Sequence, residues 1–251
     1  MRFANKVAIV TGAGQGLGRA FAHGLAIEGC KVVVADIKGE KVCSVQKEME
    51  EKGFNCIGVE VDVSDESKVN IMVKQALSKY GRIDILVNNA GILAGIITKP
   101  FWELSLEEWD RILRINLTSM FLCSKAVAPI MQKQNKGKIV NMSSATVWEG
   151  RANYLHYVAS KAGVIGITRA MARELGNWNI NVNAITPGAI ETEVPRDTIS
   201  PAQLNAMIAA RSIKRKGIPQ DLVGAILFLA SEESDFISGQ IINVDGGLSM
   251  H

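Results

Sequence analysis

Short apolar runs rich in Val and Ile alternate with longer amphipathic stretches along the whole chain. Seven runs, at 7–11, 32–36, 57–61, 83–88, 138–142, 181–185 and 240–244, read as strands. They lack strict apolar–polar alternation, which suits strands buried on both faces of a parallel sheet. Helix-length stretches fall between them, near 16–28, 39–52, 65–80, 106–134, 154–177, 200–212 and 219–231. Alternation repeated this often predicts right-handed βαβ units. The expected fold class is α/β: one doubly wound Rossmann-type domain with a seven-stranded parallel sheet and helices on both faces.

Local punctuation sharpens some boundaries. Ser64 and Asp65 offer caps for the third helix. Ser105 with Glu108 forms a capping box, and Ser200, Pro201 and Gln203 combine a cap, a first-turn proline and a reciprocal partner. No linker or low-complexity segment divides the chain, so residues 1–251 read as a single domain.

Composition narrows the class of function. Hydrophobic residues are 47% and charged residues 21%, the range of a soluble globule rather than a disordered chain. No apolar run approaches eighteen residues, and residues 1–6 lead straight into the first strand without a signal-peptide layout, so no membrane association is expected. The 28 basic and 25 acidic residues balance too closely to suggest nucleic-acid binding. Cys30, Cys43, Cys56 and Cys123 form no CxxC pair and read as reduced thiols in a cytoplasmic protein. With His23, His156 and His251 scattered, no metal site is expected.

The first strand runs into Thr11-Gly12-Ala13-Gly14-Gln15-Gly16-Leu17-Gly18 and then an amphipathic helix. Glycines there permit a tight turn and close backbone approach, and the helix N-terminus offers free N–H groups to a pyrophosphate. Asp36 ends the second strand near the spacing, about 20 residues on, of an acid that accepts from the adenosine ribose hydroxyls. Its charge would repel the 2′-phosphate of NADP, so NAD(H) is the expected cofactor, although Arg19 and Lys38 lie nearby. Asp62 and Val63 end the third strand, where they meet either the adenine edge or a helix cap. Asn89, Ala90 and Gly91 follow the fourth strand, and Pro187 and Gly188 the sixth, at the same edge of the sheet.

Tyr157 and Lys161 lie four apart and share one helix face, so the ammonium can sit near the phenol. A phenol of pKa about 10 is a poor base at pH 7, and lowering it by about three units needs about 4 kcal/mol of differential stabilisation. The ammonium is one plausible source. Tyr154 lies about 10 Å from Lys161 along the axis and reads as packing or pocket wall. Ser144, at the carboxyl end of the fifth strand, can donate to a carbonyl oxygen as charge develops there, while Ser143 points to the opposite face. Asn116 is a buried-face amide candidate in the preceding helix.

Taken together, TGAGQGLG, VVVAD, NNAG, RINLTSMF, NMSS, YVASK, NAITPG and GQIINVDGG resemble the short-chain dehydrogenase/reductase family over the full chain. The resemblance implies a metal-free tetrad. Tyr157 would be the general acid/base, Ser144 would polarise the carbonyl, Lys161 would lower the phenol pKa and hold the nicotinamide ribose, and Asn116 would hold a relay water. It also implies a homotetramer and a lid at about 189–216, with Thr192 reaching the nicotinamide carboxamide. The residues expected to face the cofactor are Gly12, Gln15, Gly16, Leu17, Gly18, Asp36, Ile37, Asp62, Val63, Asn89, Ala90, Gly91, Tyr157, Lys161, Pro187, Gly188, Ile190 and Thr192.

Leu93, Trp148 and Ala189 stand for the three segments that can reach a substrate, and Ile92, Ile96 and Ile97 make the first of these apolar. The apolar face of Leu204, Met207 and Ile208, with Arg211, reads as core packing before pocket. The expected substrate is a hydrophobic secondary alcohol or ketone, with Arg151 and Arg196 leaving room for a carboxylate. HY-x-x-SK and the terminal GGLSMH are similar to NAD-dependent phenylethanol and pyridoxal dehydrogenases of the family. The alternatives are a 3-oxoacyl-carrier-protein reductase, with Lys133, Lys136, Arg169 and Arg173 meeting an acidic carrier, and a non-catalytic NAD-binding sensor.

Overall fold

The structure, a computed structural model, describes residues 1–250 except 94, 97, 196 and 197. The chain runs β1 (Val7–Thr11), α1 (Gly16–Ile27), β2 (Lys31–Asp36), α2 (Gly39–Glu51), β3 (Cys56–Glu60), α3 (Glu66–Tyr80) and β4 (Ile85–Asn88). It continues through α4 (Leu106–Leu113), α5 (Ser119–Gln134), β5 (Gly137–Met142), the short α6 (Thr146–Glu149) and α7 (Leu155–Leu175). The last elements are β6 (Ile180–Pro187), α8 (Pro201–Ala210), α9 (Gln220–Ala230) and β7 (Ile241–Val244).

All seven strands are parallel, in the order β3-β2-β1-β4-β5-β6-β7. The order reverses between β1 and β4, where connections leave in opposite directions and open a crevice at the strands' carboxyl ends. Side chains alternate across the sheet, so both faces are apolar. Ala8 and Val10 pack with Phe21, Leu25, Ile226 and Leu229 on one face. Ile9 packs with Met72, Leu122, Val127 and Met131 on the other. No helix among the described residues is long and apolar enough to cross a membrane.

Most caps fall where the sequence puts them. Asp65 caps α3, accepting from the Ser67 and Lys68 N–H groups, whereas Ser64 turns back to the Asp62 carboxylate. Both capping boxes form. Several boundaries differ from those expected. β4 starts at Ile85 because Asp84 turns its carboxylate onto the Val7 N–H at 2.9 Å and onto Arg82. β6 extends to Pro187, paired with Val244. The long helix expected over 106–134 is interrupted by a wide π-helical turn at Arg114–Thr118, where the Ser119 hydroxyl donates to the Ile115 carbonyl at 2.5 Å.

Candidate active site

The loop from β1 to α1 is shaped by contact with the loop after β4. Gly12 has φ +63, and a Cβ there would stand 2.8 Å from Ala90 Cα. The Thr11 hydroxyl accepts from the N–H groups of Asn89 and Ala90 at 3.1 Å. The Asn89 amide donates to the carbonyls of Thr11 and Gly12. Beneath it, Asn88 donates to Ser124 and Asn141, and Asn141 donates to Thr168. The two loops are therefore fixed as one unit at the switch point.

Asp36 ends β2 with its carboxylate turned to the glycine loop. Its Oδ2 accepts from the Gly14 N–H and its Oδ1 from the Lys38 N–H, both at 3.0 Å. Gly14 was not among the expected contacts. A Cβ there would stand 3.1 Å from the Asp36 carboxylate, a proximity that only the folded pairing of β1 with β2 creates. Lys41, also not among the expected contacts, lines the same wall and donates to the Gln15 side chain. Arg19 is engaged with Glu48 at 2.6 Å.

The N-terminus of α1 shows its affinity for anions within the chain itself. The Glu193 carboxylate accepts from the Gly16 N–H at 2.9 Å, and that contact helps hold its pKa below the usual range. This end of the helix, the glycine turn and the long cleft beside them fit a dinucleotide.

Deeper in the cleft, α7 carries Tyr157 and Lys161 on its inner face. The Lys161 ammonium stands 5.9 Å from the centre of the Tyr157 ring and donates to the Met142 carbonyl at 2.9 Å. Complete burial pushes its pKa down to about 8. Ser143, expected on the opposite face, also lines the cleft, and its hydroxyl donates to the Lys161 carbonyl at 2.8 Å, so the end of β5 grips the helix directly. Ser144 faces the cleft, its hydroxyl accepting from the Thr146 hydroxyl at 2.9 Å. Asn116 sits within the π-helical turn, fully buried. Its Oδ1 accepts from the Ile92 N–H and its Nδ2 donates to the Ile92 carbonyl.

These features line one cleft of about 790 Å³. Gly12, Gln15, Gly16, Leu17, Asp36, Ile37, Asp62, Val63, Asn89, Ala90 and Gly91 line it, as do Ser144, Tyr157, Lys161, Pro187, Gly188, Ile190 and Thr192. Leu93 and Ala189 join them at the substrate end.

Three expected residues do not line it. Gly18 is buried behind the loop, where a Cβ would overlap the Gly12 carbonyl oxygen, so its part is packing α1 on the turn. Asn116 lies one layer behind the wall. Trp148 directs its indole N–H to the Thr186 hydroxyl at 3.3 Å, because the short α6 turns it towards β6; Thr146, Glu149 and Arg151 face the cleft instead. Helix α8 contributes no fully buried residue, so its apolar face is not core, and Met207 reaches the cleft. His156 is buried beside Tyr157 but does not line the cleft, and burial lowers its pKa. Ile97, Arg196 and His251 lie outside the described residues.

A family model described as enoyl-(acyl carrier protein) reductase matches residues 12–249. An oxidoreductase of Mycobacterium tuberculosis is 44% identical over 98% of each chain. A 3-oxoacyl-[acyl-carrier-protein] reductase of Thermotoga maritima is 40% identical over 99% of each. The chain belongs to the short-chain dehydrogenase/reductase family. A solved short-chain dehydrogenase structure, 7α-hydroxysteroid dehydrogenase complexed with NADH and 7-oxo glycochenodeoxycholic acid, superposes with a TM-score of 0.93. It is 38% identical, with 98% of this chain and 95% of that one covered. Membership makes the protein an oxidoreductase and accounts for the conjunction of glycine loop and Tyr157–Lys161 pair in one cleft.

Proposed function

We propose that the protein is an NAD(H)-dependent dehydrogenase that interconverts a secondary alcohol with a mostly apolar body and the corresponding ketone. The observation that carries this reading is the Asp36 carboxylate, fixed by two backbone N–H groups on the wall of the cleft. A 2′-phosphate about 4 Å from it would be repelled by roughly 4 kcal/mol per unit charge at an effective dielectric near 20. The Lys41 ammonium opposes this, but its contact with the Gln15 side chain occupies one of its donors.

The bound nicotinamide supplies or accepts a hydride at the reacting carbon. Tyr157 exchanges a proton with the substrate oxygen, and Ser144 donates a hydrogen bond to it. Lys161 lends its desolvated charge to the phenol and is oriented by the Met142 carbonyl. Asn116 fixes the Gly91–Ile92 backbone beside Lys161 and leads towards the proton relay. Leu93, Ala189, Ile199 and Met207 give the substrate end its apolar character.

A homotetramer is the assembly we infer, supported by the exposure of Trp102, Leu106 and Phe121 along α4 and α5 and the turn before them. The buried free thiols of Cys30, Cys56 and Cys123 are consistent with work in the cytoplasm. A second reading, 3-oxoacyl-carrier-protein reduction, is favoured by the similarity to the Thermotoga maritima reductase.

The deciding experiment assays purified protein with NADH and with NADPH against aliphatic ketones, aryl ketones, aldehydes and an acetoacetyl thioester. Preference for NADH with turnover of a free ketone, lost at least 100-fold in Tyr157→Phe, is the expected result. Preference for NADPH with thioester turnover would establish the second reading.

A further inference from the structure

Arg151 lies on the wall at the substrate end of the cleft. Its guanidinium is held rigidly, stacked over the Tyr154 ring 4.2 Å from the centroid, with Nη2 donating to the Thr198 carbonyl at 3.2 Å. Tyr154 is itself buried and immobilised, its hydroxyl donating to the same carbonyl at 2.6 Å. Its ring meets the Tyr157 ring edge-on, with centroids 6.5 Å apart. One aromatic ring therefore separates the guanidinium from the phenol at the reacting centre.

Among the described residues no carboxylate reaches ion-pair distance of Arg151; Glu149, which faces the same cleft, feels its charge only at longer range. Thr198 takes one of the two Nη2 hydrogens of Arg151, and Nε and Nη1 make no hydrogen bond with the described residues, so the second Nη2 hydrogen and its neighbouring N–H leave one edge of a planar donor fork for a ligand. Such an edge matches a carboxylate with two parallel N–H···O bonds. Stacking and the Thr198 contact mean that little side-chain freedom remains to be lost when an anion arrives. A guanidinium needed only to tie the lid would not have to line the cleft.

We propose that the substrate carries a carboxylate about one benzene ring away from its reacting carbon, and that Arg151 receives it. The inference rests on the dehydrogenase reading and narrows the substrate to a keto or hydroxy acid with an apolar spacer. Arg151 then acts as a specificity residue, and Tyr154 positions it while joining it to the lid at Thr198.

The test compares 3-acetylbenzoate with its methyl ester, using NADH and NADPH, in the wild type, Arg151→Met and Arg151→Lys. The expected wild-type ratio of kcat/KM, acid over ester, is about tenfold or more, the size of one charge-assisted bond. Arg151→Met brings the ratio near one, and Arg151→Lys keeps part of it because the charge remains without the fork. An unchanged ratio in Arg151→Met overturns the proposal, as does a wild type that favours the ester or turns over neither probe while binding a cofactor. A lid-tethering role alone would lower both activities together and leave the ratio where it was. Failure to bind either cofactor sinks the dehydrogenase reading instead.

Discussion

Asn116 and Ile92 are paired through both of Ile92's backbone groups, with the N–H donating to Oδ1 at 2.8 Å and the carbonyl accepting from Nδ2 at 3.1 Å. One side chain thus replaces a strand partner for a loop that has none. Replacing Asn116 with Ala leaves both groups of Ile92 without a protein partner in a half-buried setting. The expected cost is about 1–3 kcal/mol, read as a lower urea midpoint, with turnover falling as the Gly91–Ile92 backbone moves. An unchanged midpoint would mean that water replaces the amide fully.

Asp36 and Lys41 present opposite charges to the same wall, which makes cofactor choice a balance. Asp36→Asn keeps the shape and removes the repulsion, so the NADPH-over-NADH ratio of kcat/KM should rise about 10- to 100-fold. Adding Lys41→Met should give back part of that gain. A ratio that does not move in Asp36→Asn would show that the 2′ position lies away from this carboxylate.

Lys161 is kept at a cost to the fold. Burial holds its pKa at about 8 against an ordinary 10.5, so below pH 8 the protein carries a desolvated ammonium that the unfolded chain does not. Lys161→Met should therefore abolish turnover yet stabilise the cofactor-free protein at pH 7 by up to about 3 kcal/mol. Between pH 8 and 10.5 the native lysine binds fewer protons than the unfolded one. Wild-type stability should then rise with pH from this group, and the gap to the variant should close. Urea unfolding at pH 7 and pH 10 measures both; a less stable variant would mean that the bond to the Met142 carbonyl outweighs desolvation.

Two glycines give a paired test of packing. A methyl group at Gly18 collides with the Gly12 carbonyl, so Gly18→Ala should cost about 1–3 kcal/mol or more and weaken NADH binding by distorting the turn. A methyl group at Gly166, on the exposed side of α7, meets nothing within 4 Å, so Gly166→Ala should stabilise by about 0.5–1 kcal/mol. Similar melting shifts in both would contradict the assignment of Gly18 to the packing of α1.

Period and spacing made much of this molecule legible. Seven apolar runs became seven parallel strands, and Tyr157 and Lys161 met because helical period alone puts them on one face. Asp36 and the glycine loop were legible through spacing along one βαβ unit. Gly14 and Lys41 were not, because their part depends on β2 and α2 closing over the loop. Trp148 misled because its orientation is set by a one-turn helix whose direction no pattern encodes. The apolar run of α8 satisfied a core pattern but lies over the cleft, since hydrophobic spacing does not tell a buried face from one awaiting a ligand.

The π-helical turn at Arg114–Thr118 holds one residue more than an α-helical turn needs. A chain lacking that residue would close its ladder more regularly and would gain, by propensity alone, a better helix. The shortened seam would also rotate Asn116 by about 100° and pull it away from Ile92. Single-residue deletions here should therefore yield well-folded, inactive protein, so tolerance to loss in this stretch would be set by selection on turnover and not on folding.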